Sequence, residues 1–217
     1  MIPLKDNIKS KSFPLVTIFL ILMNVSIFAF QFLLDFELEI LLINVLGFVP
    51  HRISLDLSLY PLVTFVTSTF LHGSLLHLLG NMLYLWIFGD NVEDRLGKFG
   101  FLFFYIVVGV IGNIAHYLYN PLSTQPAIGA SGAVAGILGA YFVFYPYAKI
   151  LTLIPLGFFI TAFHVPAVLF LGIWILLQTI NALLTLPGAA ISIAWWAHIG
   201  GFMGGFFLGI LNSISKS

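Results

Sequence analysis

The 217 residues include 8 basic and 8 acidic side chains, 60% hydrophobic residues and no cysteine. Charged residues make up only 7%, where a soluble domain has about a quarter; the chain cannot coat a water-facing surface and reads as a polytopic membrane protein. Zero net charge, no cysteine and this hydrophobicity exclude a nucleic-acid binder, a disulfide scaffold and a disordered chain.

A membrane-crossing helix needs about 20 mostly apolar residues, and six such segments are expected. The first, 13–34, runs from Phe13 to Leu34 and stops at Asp35; it is too long for a signal-peptide core and is expected to stay as an anchor. The stretch from Glu37 to Phe70 is too polar and broken to span, although its apolar run from Ile40 to Val49 suggests a shallow interfacial helix. The second span, 74–89, ends at the charged cluster of Asp90, Glu93, Asp94, Arg95 and Lys98. The third, 99–118, closes at Asn120-Pro121, and a small-residue helix over 129–145 follows, ending at Tyr145-Pro146. Lys149 to Pro166 is again too broken to span. The fifth, 167–186, precedes Pro187-Gly188, and the sixth covers 193–211. The expected fold is an all-α membrane protein, one domain over 1–217 with six spanning helices.

Basic residues set the orientation. An inside N-terminus places Lys5, Lys9, Lys11, Arg95, Lys98, Lys149 and Lys216 in the cytoplasm and leaves only Arg52 outside. Both termini are therefore expected to be cytoplasmic.

In that topology spans two, four and six share one depth at their N-terminal ends. Those ends hold His72, His77 and Asn81, then Ser131, then His198. Polar groups inside a bilayer are costly unless paired or solvated, so each marks a candidate site. His77 and Asn81, four apart, share a helical face. Ser131 stands in Gly129-Ala130-Ser131-Gly132 where an irregular stretch meets a helix; the unpaired N–H groups of a helix start would stabilise an oxyanion beside it. An ordinary N-cap serine is the alternative. Gly132, Gly136 and Ala140 repeat every four residues, as do Gly201, Gly205 and Gly209, with Gly200 and Gly204 alongside. Small residues at this spacing let membrane helices meet backbone to backbone. If helices four and six meet this way, Ser131 and His198 come together as an activated nucleophile and its base; packing alone is the other reading of the glycines.

No acid follows Asp94, so the histidine would act without a carboxylate or would borrow an external one such as Asp56. His116 competes with His198 on spacing, although an interfacial role suits it better; His51 and His164 are expected to be solvated. Trp195 and Trp196 read as interfacial anchors, and Asn24, Gln31, Asn113, Gln178 and Asn181 as makers of interhelical hydrogen bonds.

Three motifs, His72-Gly-Ser-Leu-Leu-His77-Leu-Leu-Gly-Asn81, Gly129-Ala-Ser131-Gly132 and Ala197-His198-Ile-Gly-Gly201, stand in order on the expected helices, with Glu93-Asp-Arg95-Leu-Gly97 between them. Over all six spans the chain resembles the rhomboid family of intramembrane serine proteases. The resemblance implies a six-helix rhomboid-like bundle with Ser131 as nucleophile and His198 as general base and then acid. It further implies His77, Asn81 and the Ser131 amide as oxyanion donors, and His72 as a supporting residue. The implied substrates are transmembrane proteins in the lipid bilayer, cut at small residues in or near an unstable helix; no metal or cofactor is implied. The implied setting is the cytoplasmic membrane of a prokaryote, with the site facing outward and a substrate gate beside span five and Pro187-Gly188. Two positions depart from the family pattern: Val63-Thr64 replace a Trp-Arg pair, and Ala135 replaces an aromatic that stacks on the histidine, leaving Phe202 or Tyr84 as its expected substitute. A catalytically inactive rhomboid-like binder of membrane segments is the alternative. A carrier lined by His72, His77 and His198 is a third reading, weakened by the lack of an intramembrane carboxylate.

Overall fold

The computed structural model describes residues 1–56, 58–156, 159–185 and 193–215. Among the described residues nine helices run in chain order, and a helix lies in each stretch where a span is expected. These are α1 (Leu15–Leu33), α2 (Phe36–Leu46), α3 (Pro50–Leu55), α4 (Tyr60–Thr67), α5 (Leu75–Leu96), α6 (Lys98–Tyr119), α7 (Ser131–Phe144), α8 (Ala167–Leu184) and α9 (Trp195–Ser215). The ends of span five at Leu186 and its turn at Pro187-Gly188, together with Lys216, lie outside the described residues.

By length and apolarity α1, α6, α8 and α9 each suffice to cross a membrane, and α5 does so together with α4 and the 3-10 turn over Ser68–Phe70, from which it bends by 82°. The expected six full-length spans are not all present in that form. Helix α7 has 14 residues, about 21 Å of helix against a hydrocarbon core of about 30 Å. Its ten residues from Gly132 to Tyr141 are all buried; a helix wrapped by protein rather than lipid need not match the bilayer's thickness. Helix α5 overshoots its expected end at Gly89 and runs through the charged cluster to Leu96, where Gly97 at φ 77° turns the chain. That left-handed conformation suits glycine alone.

An all-α fold is also not what forms. Strands β1 (Ile2–Lys5), β2 (Lys149–Leu156) and β3 (Phe159–Pro166) make an antiparallel sheet in the order β1-β2-β3. Lys149 pairs with Pro166 at the open end of the β2–β3 hairpin, and Ile2 of β1 pairs with Leu153. The segment expected to be too broken to span contains Ile150, Thr152 and Val165, residues that favour strands; its prolines stop a helix, and Pro166 lies on the edge strand β3 while Pro155 lies past the residues of β2 that pair with β1.

The small-residue seam sets the centre of the bundle. A Cβ at Gly201 would collide with the Gly132 carbonyl oxygen, and one at Gly205 with that of Gly136, while one at Gly209 would lie 3.3 Å from the Ala140 Cα. Helices α7 and α9 thus touch backbone to backbone along the predicted register. Gly200 and Gly204 turn the same helix against Ala115 and Ile111 of α6.

Candidate active site

The segment before α7 is held from outside itself. Phe48 and Ala127 exchange both backbone hydrogen bonds, at 3.1 and 2.8 Å, and the Gly129 N–H donates to the Ser68 carbonyl at 2.9 Å. Asn113 on α6 donates to the Phe65 carbonyl at 2.9 Å and to the Ser68 hydroxyl at 3.1 Å, fastening that anchor in turn. Gly129 adopts φ 123°, and a Cβ there would lie 2.6 Å from the His77 ring; glycine is required for both reasons. The chain then enters α7 with Ser131 as its first residue, preceded by Ala130 and without any side-chain cap. Ser131 is not the N-cap, so the capping alternative does not describe this helix start.

Ser131, His77, Asn81 and His198 all line one cavity of about 750 Å³. Four sequence-predicted residues from three helices therefore converge on one space. The Ser131 hydroxyl and the His198 ring are not hydrogen-bonded to each other; catalytic hydrogen bonds are commonly long before substrate binds. His72 is fully buried beside them. Its backbone N–H donates to Gln31 Oε1 at 3.1 Å and its carbonyl accepts from Gln31 Nε2 at 3.2 Å, so α1 grips the turn into α5. The His72 Nε2 lies 3.0 Å from Asn81 Nδ2, and its ring meets that of His77 edge-on at 5.1 Å. His72 thereby orients the Asn81 amide, one N–H toward the ring and the other left for the cavity.

His198 is 8% exposed. Neither Tyr84 nor Phe202 supports its ring: Trp174 of α8 lies 6.2 Å away at 33°, and Trp195 stands perpendicular at 5.9 Å. Phe202 instead stacks on Trp174 at 6.2 Å. The ring partners of His198 thus come from α8 and from its own helix, and Ala135 is fully buried. Trp195, expected as a surface anchor, lines the cavity. The missed partner is Gln178 of α8, whose Oε1 is 2.8 Å from His198 Nδ1. An amide midway along an apolar helix was the available signal; its partner was not legible.

The other candidates fall elsewhere. His116 is buried in α6 rather than interfacial and does not line the cavity. Asp56 does not line the cavity; its carboxylate accepts the Ser58 N–H at 2.9 Å, a bond that holds it below the usual carboxylate range. Among the described residues no three His, Asp or Glu side chains gather as a metal site.

The comparisons with known proteins agree on one family. A family profile described as the Rhomboid domain matches residues 61–215, a range that begins after α1. The chain is 31% identical over 156 residues to Rhomboid protein 1, mitochondrial, of Saccharomyces cerevisiae, covering 68% of this chain and 41% of that protein. It is 31% identical over 152 residues to Rhomboid protease GluP of Bacillus subtilis, covering 70% and 26% respectively. Rhomboid-like protein 11, chloroplastic, of Arabidopsis thaliana is 37% identical over 99 residues, 44% of this chain and 35% of the relative. The chain thus matches less than half the length of these relatives.

Proposed function

This chain belongs to the rhomboid family, and from that premise we propose that it is an intramembrane serine endopeptidase that cuts transmembrane segments of other proteins with Ser131 and His198. The observation that carries the reading is the shared cavity of Ser131, His198, His77 and Asn81. In this mechanism Ser131 Oγ attacks the scissile carbonyl carbon while His198 Nε2 takes the hydroxyl proton. The resulting oxyanion is held by the Ser131 N–H, the free N–H of Asn81 and His77, donors fixed before the reaction starts. His198 passes its proton to the leaving amine as the C–N bond breaks, and water then releases the acyl group by the reverse sequence. A substrate helix hides its carbonyls in its own hydrogen bonds, so it must unwind locally before attack.

The topology we propose has six crossings, with α7 as a short central one and both termini cytoplasmic. In this reading Ser131 lies below the outer surface, at the floor of a site that opens to the outside, and the shortness of α7 supports that depth. The setting we read is a prokaryotic cytoplasmic membrane, in keeping with the bacterial relative, although mitochondrial and chloroplastic names stand beside it. The chain has no native cysteine, so single cysteines at Lys11 and Ser123 report the orientation: an impermeant thiol reagent on intact cells should label only the second.

The activity is tested by purified protein and a transmembrane reporter in vesicles. Ser131→Ala and His198→Ala should each lose at least about 10³-fold in cleavage, and a fluorophosphonate should label Ser131 of the wild type. Equal cleavage by all three overturns the dyad. An inactive binder would retain the reporter without cutting it and leave Ser131 unlabelled.

A further inference from the structure

We infer that Gln178 is the positioning residue of His198, an uncharged third member that fixes which ring nitrogen faces Ser131. The inference rests on the reading of His198 as the base and adds what holds that base. The Gln178 amide oxygen lies 2.8 Å from His198 Nδ1. A carbonyl oxygen only accepts, so Nδ1 must carry the proton, and Nε2 is left with a lone pair. That is the tautomer a base at Ser131 needs; the opposite one would present an N–H to the hydroxyl and could not remove its proton.

The surroundings leave this task to Gln178. His198 lies between the Trp174 and Trp195 rings, which limit its tilt but provide no acceptor for Nδ1–H. In the chain after Asp94 there is no Asp or Glu, and Asp56 does not line the cavity. An amide suits the position physically: Gln178 is half-buried on α8 and lines the cavity, where its oxygen can accept a hydrogen bond without adding a charge to a helix that carries none. Gln178 orients the ring without a charge. Orientation by a neutral group also explains why the bond must be well placed, since it lacks a carboxylate's long-range pull.

Helix α8 is placed for this by its start. The Ala167 N–H donates to the Ala148 carbonyl at 2.7 Å and the Val168 N–H to the Pro146 carbonyl at 3.0 Å, so the helix is fixed to the chain that leaves α7. Gln178 lies three turns further on, and Trp174, one turn before it, packs its ring at a tilt against the same histidine. Two residues four apart on one face of α8 therefore contact one imidazole, one by its ring and one by its amide.

The experiment compares wild type with Gln178→Met, Gln178→Leu and Gln178→Glu in vesicles, and reads both cleavage kinetics and the ¹⁵N signals of selectively labelled His198. Removing the acceptor with Met or Leu should lower kcat about tenfold at nearly constant KM, the scale of one lost hydrogen bond, and should turn the single Nδ1–H tautomer into a mixture. Two apolar variants are used so that one that does not fold does not decide the outcome. Gln178→Glu restores an acceptor and should recover most of the kcat lost by Met. A wild-type His198 protonated at Nε2, or an unchanged tautomer and kcat in Met and Leu, overturns the inference. So does a raised KM at constant kcat, which would make Gln178 a wall of the cavity. If Ser131→Ala cleaves like wild type, the protease reading fails instead, and the tautomer, read without turnover, still decides whether Gln178 holds the ring.

Discussion

The two ends of α7 use polar groups in opposite ways. At its start, around Ser131, the partners are imidazoles, amides and a hydroxyl, with no carboxylate, and several of their valences open into a cavity. About 15 Å away along the helix, near Tyr141, carboxylates dominate and are consumed by the chain itself. Buried Glu93 accepts the Val16 N–H at 3.0 Å and the Thr17 N–H and hydroxyl both at 2.8 Å, capping the start of α1. Asp94 accepts the Ser12 N–H at 3.1 Å and the Lys11 N–H, and Asp90 accepts the Ser10 hydroxyl at 2.7 Å. Asp6 accepts from Asn91 at 2.9 Å and from the Tyr141 hydroxyl. These acids clasp the N-terminal arm to α5 and α7. The carboxylates near Tyr141 are thus spent on holding the fold, whereas the polar groups around Ser131 include both fasteners of the chain, Gln31 and Asn113, and side chains that open into the cavity.

The seam that joins the two ends is the place to break both together. Gly205→Val drives a side chain into the Gly136 carbonyl, and we expect a loss of at least about 3 kcal/mol with cleavage lost alongside, measured by thermal unfolding in detergent and by the reporter assay. Asn81→Ala should strike the cavity end alone: kcat falls about 10²-fold while KM and the unfolding temperature stay close to wild type, because oxyanion contacts strengthen in the transition state. Unchanged turnover with weakened binding would take Asn81 out of that role. Glu93→Gln should strike the clasp alone, lowering stability by about 1–2 kcal/mol through the lost charge-assisted bonds at the start of α1, with kcat per folded molecule preserved. A kcat loss as large as that of Asn81→Ala would show that the two ends are not independent.

The smallest effect expected is one of pH. Burial pushes the Asp6 carboxyl up to about 6 from its ordinary 3.8, with Asp90 adding to the push and the Tyr141 hydroxyl opposing it. The folded chain therefore holds this proton more tightly than the unfolded one. The stabilisation is full below about pH 4 and is lost as pH rises through about 6, and partial solvent contact keeps it small. The protection factors of the arm's amides, taken relative to intrinsic exchange at each pH, should fall from pH 4 to 7 in wild type and stay level in Asp6→Asn; equal slopes would take Asp6 out of the clasp.

The membrane character and the approximate place of each helix were legible because hydropathy is a local sum: α1 and α6 lie within two residues of their expected bounds at both ends. The seam was legible too, since Gly132, Gly136 and Ala140 against Gly201, Gly205 and Gly209 form a repeat whose geometry follows from helix pitch. The motif residues His77, Asn81, Ser131 and His198 were found from their polarity in apolar surroundings, and the structure brings all four to one cavity.

What the sequence determined by itself, then, was which segments avoid water and which polar residues are out of place in them, because both depend on neighbours in the chain. Only the tertiary structure decided that Gln178 rather than an acid meets His198, that Trp174 packs against that ring, that Glu93 caps α1 across 76 residues of sequence, and that β2 pairs with the N-terminal strand β1 and with β3. Each of these depends on the rotation and offset of one element against another, and a one-residue change in helix phase turns a side chain by about 100°, which no local pattern records.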